Sequence, residues 1–132
     1  QVSTKTAESK FVADDKNAEL TASSDVQSLV ADGKSTAKLE VTLFSANNPV
    51  GGNVWVDIEA PEGVTEKDYQ FLPSKNDHFV SGKITRTFST SKPGVYTFTF
   101  NALTYGGYEM KPVTVTITAV DADTAKGEEA MK

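Results

Sequence analysis

The sequence contains no cysteine and a single histidine, His78, in 132 residues. Without thiols there is no disulfide scaffold, no thiolate nucleophile and no zinc–thiolate site. One histidine builds neither a His-rich metal cage nor a pair of catalytic imidazoles. No apolar run approaches the ~18 residues of a membrane-spanning helix, so no membrane insertion by this segment is expected. No charged-then-apolar opening marks a signal peptide. The chain starts at Gln1 rather than Met, as an excised or processed segment would. Positive charge is in short supply: 13 Lys and Arg stand against 18 Asp and Glu, a net charge of −5. An acidic domain repels phosphate backbones, which argues against nucleic acid as a partner. There is no Asn-x-Ser/Thr sequon for N-glycosylation. No stretch carries a helical period.

What the sequence does carry is alternation. Ala37–Phe44 places Ala37, Leu39, Val41 and Leu43 on one side of an extended chain. A period of two is the signature of a strand buried on one face. Asn53–Glu59 repeats it with Val54, Val56 and Ile58, leaving Trp55, Asp57 and Glu59 on the other face. Lys83–Ser89 groups Ile84, Arg86 and Phe88; Val95–Ala102 groups Tyr96, Phe98 and Phe100; Val113–Val120 alternates Val113, Val115, Ile117 and Ala119 with threonines. Weaker strands are expected over Ala18–Ala22, Ser28–Val30 and around Tyr69–Leu72. Turns fall between them at Ala31-Asp32-Gly33, Asn47–Gly52, Pro61-Glu62-Gly63, Lys92-Pro93-Gly94 and Gly106-Gly107. Glycine and proline at these positions supply the backbone angles that turns need. About seven short strands with turns every ~8–12 residues predict an all-β, Ig-like antiparallel β-sandwich. Its expected core is Leu39, Val41, Leu43, Val54, Val56, Ile58, Ile84, Phe88, Tyr96, Phe98, Phe100, Val113, Val115 and Ile117. The ordered domain is expected over 18–120. Polar flanks are read as an N-terminal linker or disordered segment (1–17) and a disordered C-terminal tail (121–132).

Residues Ser28–Ala60 carry a further pattern: an Ala-Asp-Gly turn, an alternating strand, Asn48-Pro49-Val50 and a second alternating strand. Gly82-Lys83-Ile84-Thr85, Pro93-Gly94 and Tyr96-Thr97-Phe98 follow in the same order. This arrangement resembles the bacterial Ig-like domain of the intimin/invasin adhesin family over about residues 18–120, and Val2–Ala7 resembles the tail of a preceding unit. The resemblance implies a non-enzymatic, extracellular module, secreted or on the cell surface of a Gram-negative bacterium. It implies a protein partner, either a bacterial outer-membrane protein or a host surface receptor, and no cofactor or metal. One form it implies is a soluble exoprotein that works with an intimin/invasin-like outer-membrane protein; the alternative is a passive rigid spacer in an adhesin stalk. Two features depart from the family pattern. Arg86 stands where an aliphatic residue is usual, and residues 64–81 are long and irregular.

Candidate chemistry is sparse. Asp57 and Glu59 share one strand face about 6.5 Å apart by strand rise, yet no pocket is implied and no catalytic residue is assigned. Neither they nor Asp14-Asp15 and Asp121–Asp123 have a calcium-loop spacing. Three aromatics are the candidate partner-binding residues. Trp55 points away from the core of its strand; it serves as a binding anchor or is covered, for instance by Phe11. Tyr105 and Tyr108 flank Gly106-Gly107 at a hairpin tip, either as loop-borne contacts or as a cross-strand aromatic pair. An inward Arg86 requires a carboxylate or carbonyl partner; otherwise its head reaches the rim while its stem packs. His78 is read as a surface residue.

Overall fold

A computed structural model describes residues 15–123. Ten β elements appear in chain order: β1 (Glu19–Ser24), β2 (Ser28–Val30), β3 (Ala37–Ser45), β4 (Asn48–Pro49), β5 (Gly52–Glu59), β6 (Tyr69–Leu72), β7 (Asn76–His78), β8 (Lys83–Thr90), β9 (Gly94–Thr104) and β10 (Val113–Val120). Seven have four residues or more; β2, β4 and β7 are two or three residues long. One sheet runs β1-β3-β8-β6, with β4 paired to β3. The other runs β2-β10-β9-β5-β7. All neighbours are antiparallel except β2 and β10, which are parallel. The result is a two-sheet Ig-like sandwich.

The alternation in the sequence becomes the core. Leu39, Val41, Leu43, Phe88, Tyr96, Phe98 and Ile117 are fully buried, and Val54, Val56, Ile84, Phe100 and Val115 are nearly so. Ile58 and Val113 pack against the core from partly buried positions. Leu20, Leu29, Val50, Phe71, Phe79, Ala102 and Met110 join it, although they lie outside the clear alternating runs or at their ends. Phe71 stacks on Phe98 with ring centroids 5.6 Å apart, while Phe88 meets Phe98 and Tyr96 at 4.9 Å. Offset and edge-on ring pairs of this kind add to area burial.

Tyr96 also closes the corner between β8 and β9. Its hydroxyl donates to Lys92 O at 2.8 Å and lies 2.7 Å from Thr90 Oγ1. This is the tyrosine corner of Ig-like sandwiches, and burial raises the phenol above its ordinary pKa. Gly94 completes the same corner at φ +135°. A Cβ there would lie 2.3 Å from Pro61 Cγ. Gly94→Ala is therefore expected to cost about 2 kcal/mol in urea unfolding, from strain and a clash with a rigid ring. An unchanged midpoint would refute that account of the corner.

Arg86 settles inward, at 4% exposure on β8. Its Nε donates to Ser74 O at 2.7 Å, Nη1 to Thr85 O at 2.7 Å and Nη2 to Asp77 Oδ2 at 2.5 Å. The guanidinium thus ties β8 of one sheet to β7 at the edge of the other. Asp77 also accepts from the His78 N–H at 2.7 Å. Donation from Arg86, then from His78, holds the Asp77 carboxyl below the usual carboxylate range, against the opposing effect of burial.

Candidate functional site: a loop end with fixed aromatics

Three connections meet at one end of the sandwich. The β3–β4 turn and its continuation (46–51), the β7–β8 turn (79–82) and the β9–β10 connection (105–112) lie beside one another. The Phe79 N–H donates to Gly52 O, the Leu43 N–H to Gly82 O and the Tyr105 N–H to Gly51 O. Two of these turns contain the positive-φ non-glycine residues of the described chain: Ala46 and Asn47 at 49° and 70°, and Ser81 at 53°. Ser45 pairs with Asn48 and Val80 with Lys83, so each turn has two central residues. Positive φ at both central positions matches the right-handed twist of the flanking strands. These loops are accordingly tight turns with little slack.

Tyr105 and Tyr108 stand on this end at 65% and 46% exposure. Their backbone is fixed. Within the turn, the Thr104 N–H donates to Tyr108 O at 2.9 Å, the Gly107 N–H to Thr104 O at 2.9 Å and the Tyr108 N–H to Thr104 Oγ1 at 3.0 Å. From outside, Asp15 Oδ2 accepts the Gly106 N–H at 2.9 Å. Asp15 belongs to a short 3-10 turn, Asp15–Asn17, that precedes β1. The Tyr105 ring lies against Gly51, where a Cβ would come within 2.8 Å of its Cδ2. One side of the ring packs on bare backbone and the remainder faces solvent. Tyr105 and Tyr108 do not stack on each other: ring–ring contacts among the described residues involve the core aromatics.

Trp55 sits on the outer face of the β2-β10-β9-β5-β7 sheet at 36% exposure. Its cross-strand neighbours are Asn101 on β9 and Asn76 on β7. Strand parity puts Leu103 on the same face and Tyr105 directly opposite Gly51, so Trp55, Leu103 and Tyr105 form a file running toward the loop end. Leu103 is 37% exposed. Trp55 and Tyr105 are about four residues apart along this file, roughly 13 Å. Phe11, the suggested cover for Trp55, lies outside the described residues. Asp57 and Glu59 oppose Thr99 and Thr97, and Asp57 Oδ2 accepts from Asn101 Nδ2 at 3.1 Å. His78 is exposed, with Nδ1 3.4 Å from Asp77 Oδ1. Among the described residues no group of three or more His, Asp or Glu converges as metal ligands would.

The sequence pointed to the two tyrosines through their flanking glycines. It gave no sign of the contacts that fix them, since Gly51 and Asp15 are distant in the chain. The file through Leu103 becomes visible only with the β5–β9 register in hand.

No family model matches the sequence, and no curated protein matches it. Solved structures do match in shape. The D00-D0 domain of intimin superposes with a TM-score of 0.61 at 19% identity, covering 81% of this chain and 49% of that one. The fold is an intimin-like Ig fold. A C-terminal 282-residue fragment of intimin, solved in complex with the intimin-binding domain of its translocated receptor Tir, gives 0.54 at 14% identity, over 76% and 33% of the two chains. A family 2 glycosyl hydrolase from Bacteroides cellulosilyticus gives 0.56 at 16%, over 76% of this chain and 15% of the enzyme. The Ig-like chain thus spans about half the length of the intimin D00-D0 structure and a small part of the hydrolase.

Proposed function

We propose that this chain is a non-enzymatic Ig-like module of a bacterial surface or secreted protein, of the intimin/invasin type, that works outside the cell by binding another protein. The observation that carries this reading is the loop end. Tyr105 and Tyr108 are exposed rings on a backbone fixed from both sides. Rigid aromatics of this kind bind with little loss of side-chain freedom. The file through Leu103 to Trp55 extends the surface. Intimin supplies a precedent on the same fold, since one of its fragments is solved with a receptor domain. The form we favour is a soluble exoprotein whose partner is an intimin-like outer-membrane protein.

The test offers labelled protein to outer membranes of the producing bacterium and to host cells. Binding to the outer membranes is expected. The Tyr105→Ala/Tyr108→Ala variant, with unfolding followed in parallel, is expected to weaken it tenfold or more, about the loss of one hot-spot contact. Adding Trp55→Ala tests the extended file. Binding to host cells alone would identify a receptor-directed adhesin. Binding to neither surface would overturn the proposal in favour of a passive spacer, and undiminished binding by the tyrosine variant would remove the loop end from it.

A further inference from the structure

The two long sides of the sandwich are finished differently. On the β6–β7 side every edge is blunted. β7 is three residues long, Asp77 turns a charge inward to Arg86, and Pro73 follows the last residue of β6. Short strands, inward charges and prolines are the usual defences of a sheet edge. The β1–β10 side is guarded only at its ends, by the three-residue β2 and by Pro112 before Val113, and the stretch between them has none of these devices. β10 contains no charged residue or proline, and the one charge of β1 is Glu19 at its first position.

This side is also half empty. The chain leaves the first sheet after β1, turns through Ser24, whose Oγ donates to Val26 O at 2.6 Å, and enters the second sheet as β2. β2 pairs with β10 only at Thr118–Val120. The edge of β10 from Val113 to Ile117 has no strand beside it among the described residues. The direction of its backbone groups follows from β2. The Thr118 N–H donates to Gln27 O and Val120 O accepts from the Ala31 N–H, so even-numbered residues face this edge. Thr114 and Thr116 therefore turn their N–H and C=O groups outward, and their alternation with the β9 ladder leaves that ladder intact. A groove of 420 Å³ lies beside them, lined by Ala22, Ser23, Ser24, Gln27 and Thr114–Thr116. Its apolar floor is Ala22, half-buried, and Val115, 9% exposed.

We propose that this groove receives an extended, uncharged segment of another protein, which adds to the edge of β10 as a strand in line with β2. The upper half of the same edge already seats a strand, β2, in parallel register, and the groove continues its path. The open stretch of five residues accepts a strand of about 16 Å. Main-chain hydrogen bonds to Thr114 and Thr116 hold the segment, and alternate side chains fill the space over Ala22 and Val115. Small or β-branched residues fit there, with polar ones between them facing solvent. A charged residue in the inward positions would be desolvated without a partner, because the groove lining offers none. The inference rests on the reading that the chain binds a protein, and names a second mode of contact, away from the tyrosines.

The probe is a phage-displayed library of random twelve-residue peptides panned on the folded protein. Selected peptides are expected to alternate small or β-branched residues with polar ones and to lack charge. In a ¹⁵N-labelled sample they should shift the amides of Ala22, Ser24 and Thr114–Thr116 and slow exchange at Thr114 and Thr116. Thr116→Pro removes one edge-facing N–H without touching the β9 ladder, a position where proline is tolerated. It is expected to weaken peptide binding about tenfold, the loss of one or two main-chain hydrogen bonds. Ala22→Lys, which fills the groove without altering the edge, should weaken it as well. Failure to select peptides, shifts confined to other surfaces, or binding indifferent to both variants would overturn the inference. Peptides seated in the groove of a protein that binds neither membranes nor cells would sustain the edge and sink the proposed function. Membrane binding with no groove peptide would do the reverse.

Discussion

Arg86→Ala is expected to remove about 3–5 kcal/mol of folding stability, the cost of breaking a buried ion pair from one side. The truncation takes away a guanidinium that serves three acceptors: Ser74 O, Thr85 O and Asp77 Oδ2. It leaves the Asp77 carboxylate, 31% exposed, beside a cavity with no cation. Asp77→Asn retains an acceptor for Nη2 and should cost less, about 1–3 kcal/mol. Combining Asp77→Asn with Arg86→Met, which fills the volume with an apolar chain, should be milder than Arg86→Ala alone. Buried pairs are often replaceable by apolar groups but seldom by half of themselves. Urea unfolding of the four proteins measures this, and a loss below about 1 kcal/mol for Arg86→Ala would refute the role assigned to the pair.

The same pair sets a pH dependence with a definite sign. Asp77 is held below the ordinary carboxylate range by Arg86 in the folded state. Its contribution is therefore complete above the unfolded carboxyl pKa of about 4 and is lost as pH falls toward and through the depressed folded value. Wild type and Asp77→Asn should differ most near neutrality and converge in acid. The consequence is local as well as global. Asp77 and Asn76 pair with Val54 and Trp55, so loosening β7 frees the edge of the strand that carries Trp55.

The origin of Arg86's partner also shows where the sequence stops being readable. The long strands are legible because each sheet has one dry face and one wet face, so alternation is enforced residue by residue. The expected strands at 37–44, 53–59, 83–89, 95–102 and 113–120 all form, the last with its expected bounds and the others with one or both ends shifted by a residue or two. β7 reads Asn-Asp-His and has no alternation to offer; three residues at an edge are held by a charge rather than by an apolar face. Phe71 and Phe79 are buried from the irregular stretch for the same reason: they are single insertions into the core, not members of a run. The tyrosine corner hides in the sequence because Tyr96 alternates like its apolar neighbours while its hydroxyl answers to Lys92 and Thr90. At the loop end the exposed Tyr105 and Tyr108 are readable from the sequence. The supports at Gly51 and Asp15 are set by register and are not.

Phe88→Ala is the second large loss expected, about 3–5 kcal/mol. Phe88 is fully buried on β8 and its ring meets three others: Tyr96 and Phe98 at 4.9 Å and Tyr69 at 6.1 Å. Tyr96 and Phe98 belong to the opposite sheet, and Tyr69 begins the edge strand β6. Removing the ring opens a cavity where the two sheets and the edge strand converge. The surrounding rings are constrained by the tyrosine corner and by the Phe71–Phe98 stack, so the site has little room to collapse. Phe88→Leu keeps most of the volume and should cost about 1–2 kcal/mol, the loss of ring geometry with smaller packing changes. Urea unfolding separates the cases. If Phe88→Ala were no worse than Phe88→Leu, cavity formation would not be the controlling term. The distinction bears on function, because the loop end and the open β10 edge are both held by this core. At temperatures where Phe88→Leu remains folded, its binding to membranes and to groove peptides should match wild type, which would separate the surfaces that bind from the core that positions them.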